Sequence, residues 1–211
     1  GCIPTKALLR AAEIKNNIAH AADFGIELSG EVTINLQKVV ERSRKVASRL
    51  SSGVAHLLKK NKVAVFDGTA KIAGKSGANW LISVAGAKQT KLSGKHIIIA
   101  TGARARALPG IEPNGTSIVT YKDAMIPQKM PKSLIVVGSG AIGVEFASFY
   151  NDMGVDVTIV EYLDRILNVE DEEISEMAKK SFERRGIKIF TSVELAGLRE
   201  TSSGVTADIK I

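Results

Sequence analysis

Two sets of residues in this sequence could do chemistry: a glycine-rich turn closed by an acid, and a lone thiol at the start of a helix. The turn is Gly138-Ser139-Gly140-Ala141-Ile142-Gly143, entered from the apolar run 134–137 and left through a helical pattern that reaches Met153. A second apolar run, 155–160, ends in Glu161. Strand, tight turn, helix and strand in this order make a βαβ unit of the dinucleotide-binding type. Each glycine has a physical task there. Gly138 permits the sharp turn, Gly140 admits a pyrophosphate close to the backbone, and Gly143 lets the helix pack tightly on the strand. Unpaired amides and a partial positive charge at the helix start then face the phosphates. Glu161 stands 18 residues beyond Gly143. A carboxylate at that place accepts hydrogen bonds from a ribose 2′-hydroxyl and repels a 2′-phosphate, which selects NAD over NADP. Any crowded strand-to-helix turn also uses small residues, and a strand-end glutamate is often merely solvated. The nucleotide reading rests on the whole context of strand, helix and acid.

The thiol is Cys2, within Gly1-Cys2-Ile3-Pro4-Thr5-Lys6. Pro4 suits the first turn of a helix, which places Cys2 just ahead of that helix, with Leu8, Leu9, Ala12 and Ile14 as its first apolar positions. The helix dipole and nearby Lys6 bias a thiol there towards thiolate. The residues alone leave two readings open, a reactive thiol and a buried structural cysteine. As the single cysteine it rules out an internal disulfide framework and fits a reducing compartment. His20, His56 and His96 stand apart, on two helices and a strand, and neither catalysis nor metal binding is assigned to them.

The elements that must position these groups come from a chain of 211 residues, 45% apolar and 24% charged, which is a globular balance. No apolar run approaches the ~20 residues of a membrane span. A net charge of +7 raises the question of nucleic acid, but the Lys and Arg are spread along helices among acids without interleaved aromatics, so no such partner is expected. A long helix at 33–60 repeats Leu36, Val39, Val40, Val46, Leu50, Val54, Leu57 and Leu58 at threes and fours and should face a core. A strand at 63–66 ends at Asp67-Gly68. Short alternating runs at 70–73, 80–84 and 88–92 predict a β-meander in which Trp80 packs. A buried strand at 95–100 breaks at Thr101-Gly102-Ala103, whose free amides could face a ligand. Residues 104–131 are turn-rich and read as the crossing into a second domain. Beyond Glu161, an acidic helix start at 170–173 leads through basic residues to Gly186, a third strand at 187–190, and Val193. The chain opens without an initiator Met or leader and its last residues, 209–211, read as mid-strand, so it is expected to be a piece of a longer protein.

With Gly1 to Lys6, Ala100-Thr101-Gly102-Ala103 and the unit from Gly138 to Glu161 in this order, the sequence resembles the flavin-dependent pyridine nucleotide-disulfide oxidoreductases, and among them the dihydrolipoamide dehydrogenases. The resemblance covers essentially the whole chain. It implies an α/β fold, with 1–115 part of an FAD-binding domain of helices and β-meander and 116–211 the first half of a Rossmann-like NAD-binding domain. By the same resemblance Cys2 is the flavin-proximal member of a redox disulfide whose other cysteine precedes Gly1, and Lys6 approaches the flavin. Gly68, Ala70, Thr101, Gly102 and Ala103 would line FAD. Gly138, Ser139, Gly140, Ala141, Ile142, Gly143 and Glu145 would hold NAD, Glu161 its adenosine ribose and the Val193 backbone its adenine. The implied reaction carries electrons from a dihydrolipoyl dithiol through the disulfide and FAD to NAD. Such enzymes are homodimers that serve the lipoyl domains of 2-oxoacid dehydrogenase complexes or the glycine cleavage system, in the cytoplasm or, in a eukaryote, the mitochondrial matrix.

Two departures are mild: Thr5 and Ala103 stand where serine is commoner. Larger ones are the first FAD-binding βαβ, the partner cysteine, the rest of the NAD domain, the second FAD segment and the interface domain with its histidine-glutamate pair, none of which lies within these residues. The 211-residue polypeptide by itself is therefore expected to be inactive. Two other readings are a mercuric or glutathione-type reductase and a non-catalytic nucleotide-binding module. Glu161 argues against the NADP-linked reductases, where a basic residue would stand.

Overall fold

Pro4 sits in the first turn of α1 (Cys2–Ala19), where a missing N–H costs no hydrogen bond, and the helix begins at Cys2 itself rather than just after it. Leu8 and Ala12 are fully buried on its inner face, whereas Ile14, expected in the core, is exposed. A 3₁₀ turn at Ala21–Phe24 closes on left-handed Gly25. The second helix, α2 (Leu36–Lys60), has the expected apolar stripe, but only its first half is covered. Val39, Val40 and Val46 are half-buried, while Leu50, Val54 and Leu57 are exposed. Periodicity marks a face that can be buried; covering it needs a neighbour, and the described residues supply none to the second half.

A computed structural model describes residues 1–106, 108–202 and 204–210 and shows a mixed α/β fold. Internal contacts divide the chain into one unit of Gly1–Ser48 with Ala105–Ile211 and another of Arg49–Arg104. This differs from a division near residue 115, because α1 shares a core with the later part of the chain.

In the shorter unit, β1 (Thr69–Ser76), β2 (Asn79–Ala85) and β3 (Thr90–Gly94) form the antiparallel meander that their alternating sequence predicts. Lys75 Nζ lies 4.3 Å from the centre of the Trp80 ring, so the indole packs within the sheet's own surface. The strands expected at 63–66 and 95–100 do not form. Neither run finds a ladder among the described residues, and Val65, Phe66, Ile98 and Ile99 are exposed. An apolar run becomes a strand only when a neighbour accepts and donates its backbone hydrogen bonds.

The longer unit resumes with α3 (Tyr121–Ala124), started by a capping box. The Thr120 backbone N–H and hydroxyl each donate to Asp123 Oδ2 at 3.0 Å, and these bonds hold the Asp123 carboxyl below its ordinary range. Three parallel strands follow, β4 (Ser133–Val137), β5 (Asp156–Val160) and β6 (Lys188–Phe190), in the order β4-β5-β6. They pair in register from Ser133 with Asp156 and from Thr158 with Lys188. The connections are α4 (Ala141–Asp152) and α5 (Glu172–Arg184), the latter capped by Asp171 and ended at left-handed Gly186, as its charges and glycine predict. Val157 and Ile159 are fully buried with Phe146, Ala147 and Phe149 of α4, and Leu8 and Ala12 of α1 complete the same cluster. On the sheet's other face Ile135 and Val137 remain exposed. A hairpin, β7 (Glu194–Thr201) and β8 (Gly204–Lys210), ends the described chain. Residue 211 of the expected terminal strand lies outside the described residues.

The turn-rich crossing contains an organising residue that its composition hid. Asn114 Oδ1 accepts from the amides of Thr116, Ser117 and Ile118, while its Nδ2 donates to Glu200 of β7. Among the described residues no helix is long and apolar enough to cross a membrane, and no group of three or more His, Cys, Asp or Glu side chains is placed to hold a metal ion.

Candidate functional site

The site begins where β4 turns into α4. Gly138 takes φ +95°, a left-handed conformation that a side chain would resist, and its N–H donates to Val160 O at 2.9 Å across the sheet. A Cβ on Gly143 would lie 2.1 Å from Gly138 O, so the helix can come this close to the turn only with glycine there. Gly140 is different: φ is −65° and a Cβ would meet nothing within 4 Å. The space in front of it is open. The first intrahelical bond of α4 is Val144 N–H to Gly140 O at 3.1 Å, and Gly140 has no side chain with which to cap the helix. The amides of Ala141, Ile142 and Gly143 thus point out of a helix end with partial positive charge. Ala141 and Ile142 are exposed beside them. Open backbone, free donors and a helix N-terminus together fit a dinucleotide pyrophosphate.

Glu161 follows β5 and is buried, at 8% exposure. Its Oε2 accepts from the Ser139 amide at 2.8 Å and the Ser139 hydroxyl at 2.6 Å, and its Oε1 accepts from the Leu163 amide at 2.9 Å. Burial alone would raise the carboxyl pKa. The opposing hydrogen bonds, first from Leu163 and then from Ser139, outweigh burial and hold Glu161 below its ordinary value. The carboxylate is therefore charged and already engaged, where the sequence suggests a freely waiting acceptor. Val193 is also buried, and its N–H donates to Glu161 O at 3.1 Å. That amide is part of the protein's own network, which leaves the Val193 carbonyl and side chain as the groups that could meet an adenine.

The free thiol of Cys2 is exposed among the described residues. Thr5 secures the helix start, its hydroxyl donating to Gly1 O at 2.9 Å. One turn on, Lys6 pairs with Glu145 of α4. The resemblance gives these two residues to different cofactors, whereas the structure joins them in a single ion pair. It links α1, which carries the thiol, to α4. Nothing in sequence spacing signals this pair, since 139 positions separate its members.

In the shorter unit, Gly68 adopts φ +156° with no room for a Cβ, which would lie 2.4 Å from Ala85 O. Ala70 pairs with Val84 in the meander. Thr101, Gly102 and Ala103 are exposed and irregular, with Gly102 left-handed at φ +81° and open space around it. Their free amides fit a polar ligand, but among the described residues no hydrogen bond joins them to the Gly68 and Ala70 backbone.

Comparison with known proteins gives a consistent picture. The family model described as pyridine nucleotide-disulphide oxidoreductase matches residues 1–210. The chain is 49% identical to a dihydrolipoyl dehydrogenase of Rhizobium etli, covering 100% of this chain and 46% of that protein. It is 47% identical to one from Zymomonas mobilis, over 99% of this chain and 44% of that protein. The chain thus spans about half the length of the curated relatives it matches. Among solved structures, LpdA of Mycobacterium tuberculosis superposes with a TM-score of 0.87 at 27% identity, over 99% of this chain and 45% of that one. The HOCl-induced flavoprotein disulfide reductase RclA of Escherichia coli gives 0.73 at 24% identity, over 99% of this chain and 43% of that one, a likeness of fold.

Proposed function

The chain belongs to the pyridine nucleotide-disulphide oxidoreductase family, and from that premise we propose that it is the central part of an NAD-linked dihydrolipoamide dehydrogenase. The observation that carries the reading is the union of two helices. The one that opens at Cys2 shares a core with the one that opens at Gly140, and Lys6 pairs with Glu145 between them. The helix that carries Cys2 and the turn that opens α4 belong to one compact unit, which supports reading the thiol and the dinucleotide cradle as parts of one machine.

In this reading Gly140 and the Ala141, Ile142 and Gly143 amides bind the pyrophosphate of NAD, Gly138 and Gly143 shape the turn, and Glu161 selects the ribose that lacks a 2′-phosphate. Lys6 and Glu145 fix the orientation of α1 against α4. Cys2 is the flavin-proximal half of the redox disulfide that exchanges with the substrate dithiol. Gly68, Ala70, Thr101, Gly102 and Ala103 supply backbone donors to FAD. When bound, FAD supplies the electron relay between thiol and nicotinamide chemistry. Functionally the chain divides near residue 115, with flavin-side segments before it and nicotinamide-side segments after it. The whole enzyme is a homodimer that accepts electrons from lipoyl domains of 2-oxoacid dehydrogenase complexes or the glycine cleavage system. It works in the cytoplasm, or in the mitochondrial matrix if the source is eukaryotic.

The test uses the full-length protein with dihydrolipoamide as reductant and absorbance of NADH as readout. Turnover with NAD⁺ that disappears in Cys2→Ser, and that NADP⁺ does not replace, supports the proposal. Undiminished turnover in Cys2→Ser sinks it. The 211-residue polypeptide assayed alone is expected to show no turnover.

A further inference from the structure

The acid that selects the ribose is not held by its own strand alone. Ser139, the residue between the first two glycines of the turn, is 1% exposed and sends both its amide and its hydroxyl to the same Glu161 oxygen. The Leu163 amide takes the other oxygen. A carboxylate offers about four acceptor positions, so three donors leave one for a ribose hydroxyl. All three donors are neutral, and the negative charge of Glu161 stays uncancelled. None of the ion pairs among the described residues includes Glu161.

We infer that Ser139 is a specificity-determining residue for the coenzyme, a positioning residue that fastens the Glu161 carboxylate against the glycine turn. A glutamate on an open strand end can rotate into solvent when a phosphate arrives, which relieves the repulsion and blunts discrimination. Here rotation would break three charge-assisted hydrogen bonds at once in a buried place. The carboxylate therefore stays where a 2′-phosphate must meet it. The same fastening presets the ribose acceptor and ties it to the turn that holds the pyrophosphate. Two parts of one ligand are thus read by a connected element. The hydroxyl matters beyond the amide, because any residue at 139 would retain the N–H but only a hydroxyl adds the 2.6 Å bond.

This inference rests on Glu161 as the ribose acceptor, and the test separates the two. NADH and NADPH are titrated by fluorescence against the full-length protein freed of flavin, its Ser139→Ala, Ser139→Gly and Glu161→Gln variants, and the Ser139→Ala/Glu161→Gln double variant. The quantity compared is the ratio of the two dissociation constants, which a general loosening of the turn would not move, because it weakens both coenzymes alike. Ser139→Ala and Ser139→Gly are expected to lower the preference for NADH about tenfold, the size of one hydrogen bond to a charged group. Adding Ser139→Ala to Glu161→Gln should change the ratio no further, since the serine acts through the acid. A ratio that survives in both Ser139 variants but falls in Glu161→Gln overturns the inference and leaves the ribose reading intact. A ratio that Glu161→Gln leaves unmoved overturns both.

Discussion

The β4–α4 corner and the segment 95–103 read almost alike in sequence, each an apolar run that breaks into small residues. They end differently. At the corner, β4 pairs with β5 along its length, and Val157 and Ile159 are sealed beneath α4. In the other segment no ladder forms among the described residues, and Ile98 is 91% exposed. The contrast shows that hydrophobicity confers only the capacity to be a strand. The strand itself belongs to a pair, because backbone donors and acceptors need partners before apolar side chains can leave water. The sharpest way to break this comparison is to remove a large side chain from the closed region. Phe149 is fully buried and meets Tyr150 edge-on, with ring centres 5.1 Å apart. Phe149→Ala should lower the unfolding free energy of that unit by about 3–5 kcal/mol in denaturant titrations. A loss under about 1 kcal/mol would mean that the corner is no better packed than the open segment.

A pair of glycine substitutions sharpens the comparison within the corner itself. Gly143→Ala drives a Cβ against the Gly138 carbonyl, a backbone atom that cannot swing aside, and should cost about 2–3 kcal/mol. Gly140→Ala meets no atom and requires no unusual φ, so stability should stay within about 0.5 kcal/mol while NAD⁺ affinity falls. Thermal melts and coenzyme titration on the same samples separate the glycine needed by the fold from the one needed by the ligand. Equal destabilisation in both variants would remove that distinction.

The sequence carried the corner well for a physical reason: the turn, the helix start and the acid are all close in the chain, and their spacing is their mechanism. The acidic start of α5 and its stop at left-handed Gly186 follow from the same local rules. What spacing could not convey are the long-range pairings. Lys6 with Glu145, Asn114 with Glu200 and Arg185 with Asp152 join residues that no periodicity relates. The resemblance places Ser139 among the residues that would hold NAD, but the turn of its hydroxyl inward to Glu161, 22 positions away, is a pairing that spacing does not convey. The runs 63–66 and 95–100, and the second half of α2, failed in the opposite way. Their patterns describe faces to be covered, and a pattern cannot say whether the cover is present.

Burial at the corner also writes itself into pH dependence. Tyr150 is enclosed by the core and donates to Ala124 O at 2.9 Å, and burial pushes its phenol up to about 12. A folded pKa above the unfolded one means that the native state keeps its proton longer. The contribution is complete below the unfolded value near 10 and is lost as pH rises towards 12. Unfolding free energy should therefore fall across that window in alkaline titrations. Tyr150→Phe should flatten the fall, at a cost of about 1 kcal/mol at neutral pH from the lost hydrogen bond. An unchanged alkaline slope in the variant would assign the fall to other groups.

The smallest expected effect falls on the open segment and completes the comparison. Ile98 is almost fully solvated, so Ile98→Ser removes no buried area and breaks no ladder. Its effect on the stability of the 211-residue chain should stay within about 0.5 kcal/mol, the range of ordinary surface changes. If the segment were sheltered in solution as a closed strand, the same substitution would cost about 2–5 kcal/mol, as truncations of buried aliphatic side chains do. Hydrogen exchange gives a second check. Amides 97–99 should exchange at nearly unprotected rates while Val157 and Ile159 remain protected. Protection at 97–99 would show that a partner strand reaches them, and the difference between the two regions would then lie in what covers each run.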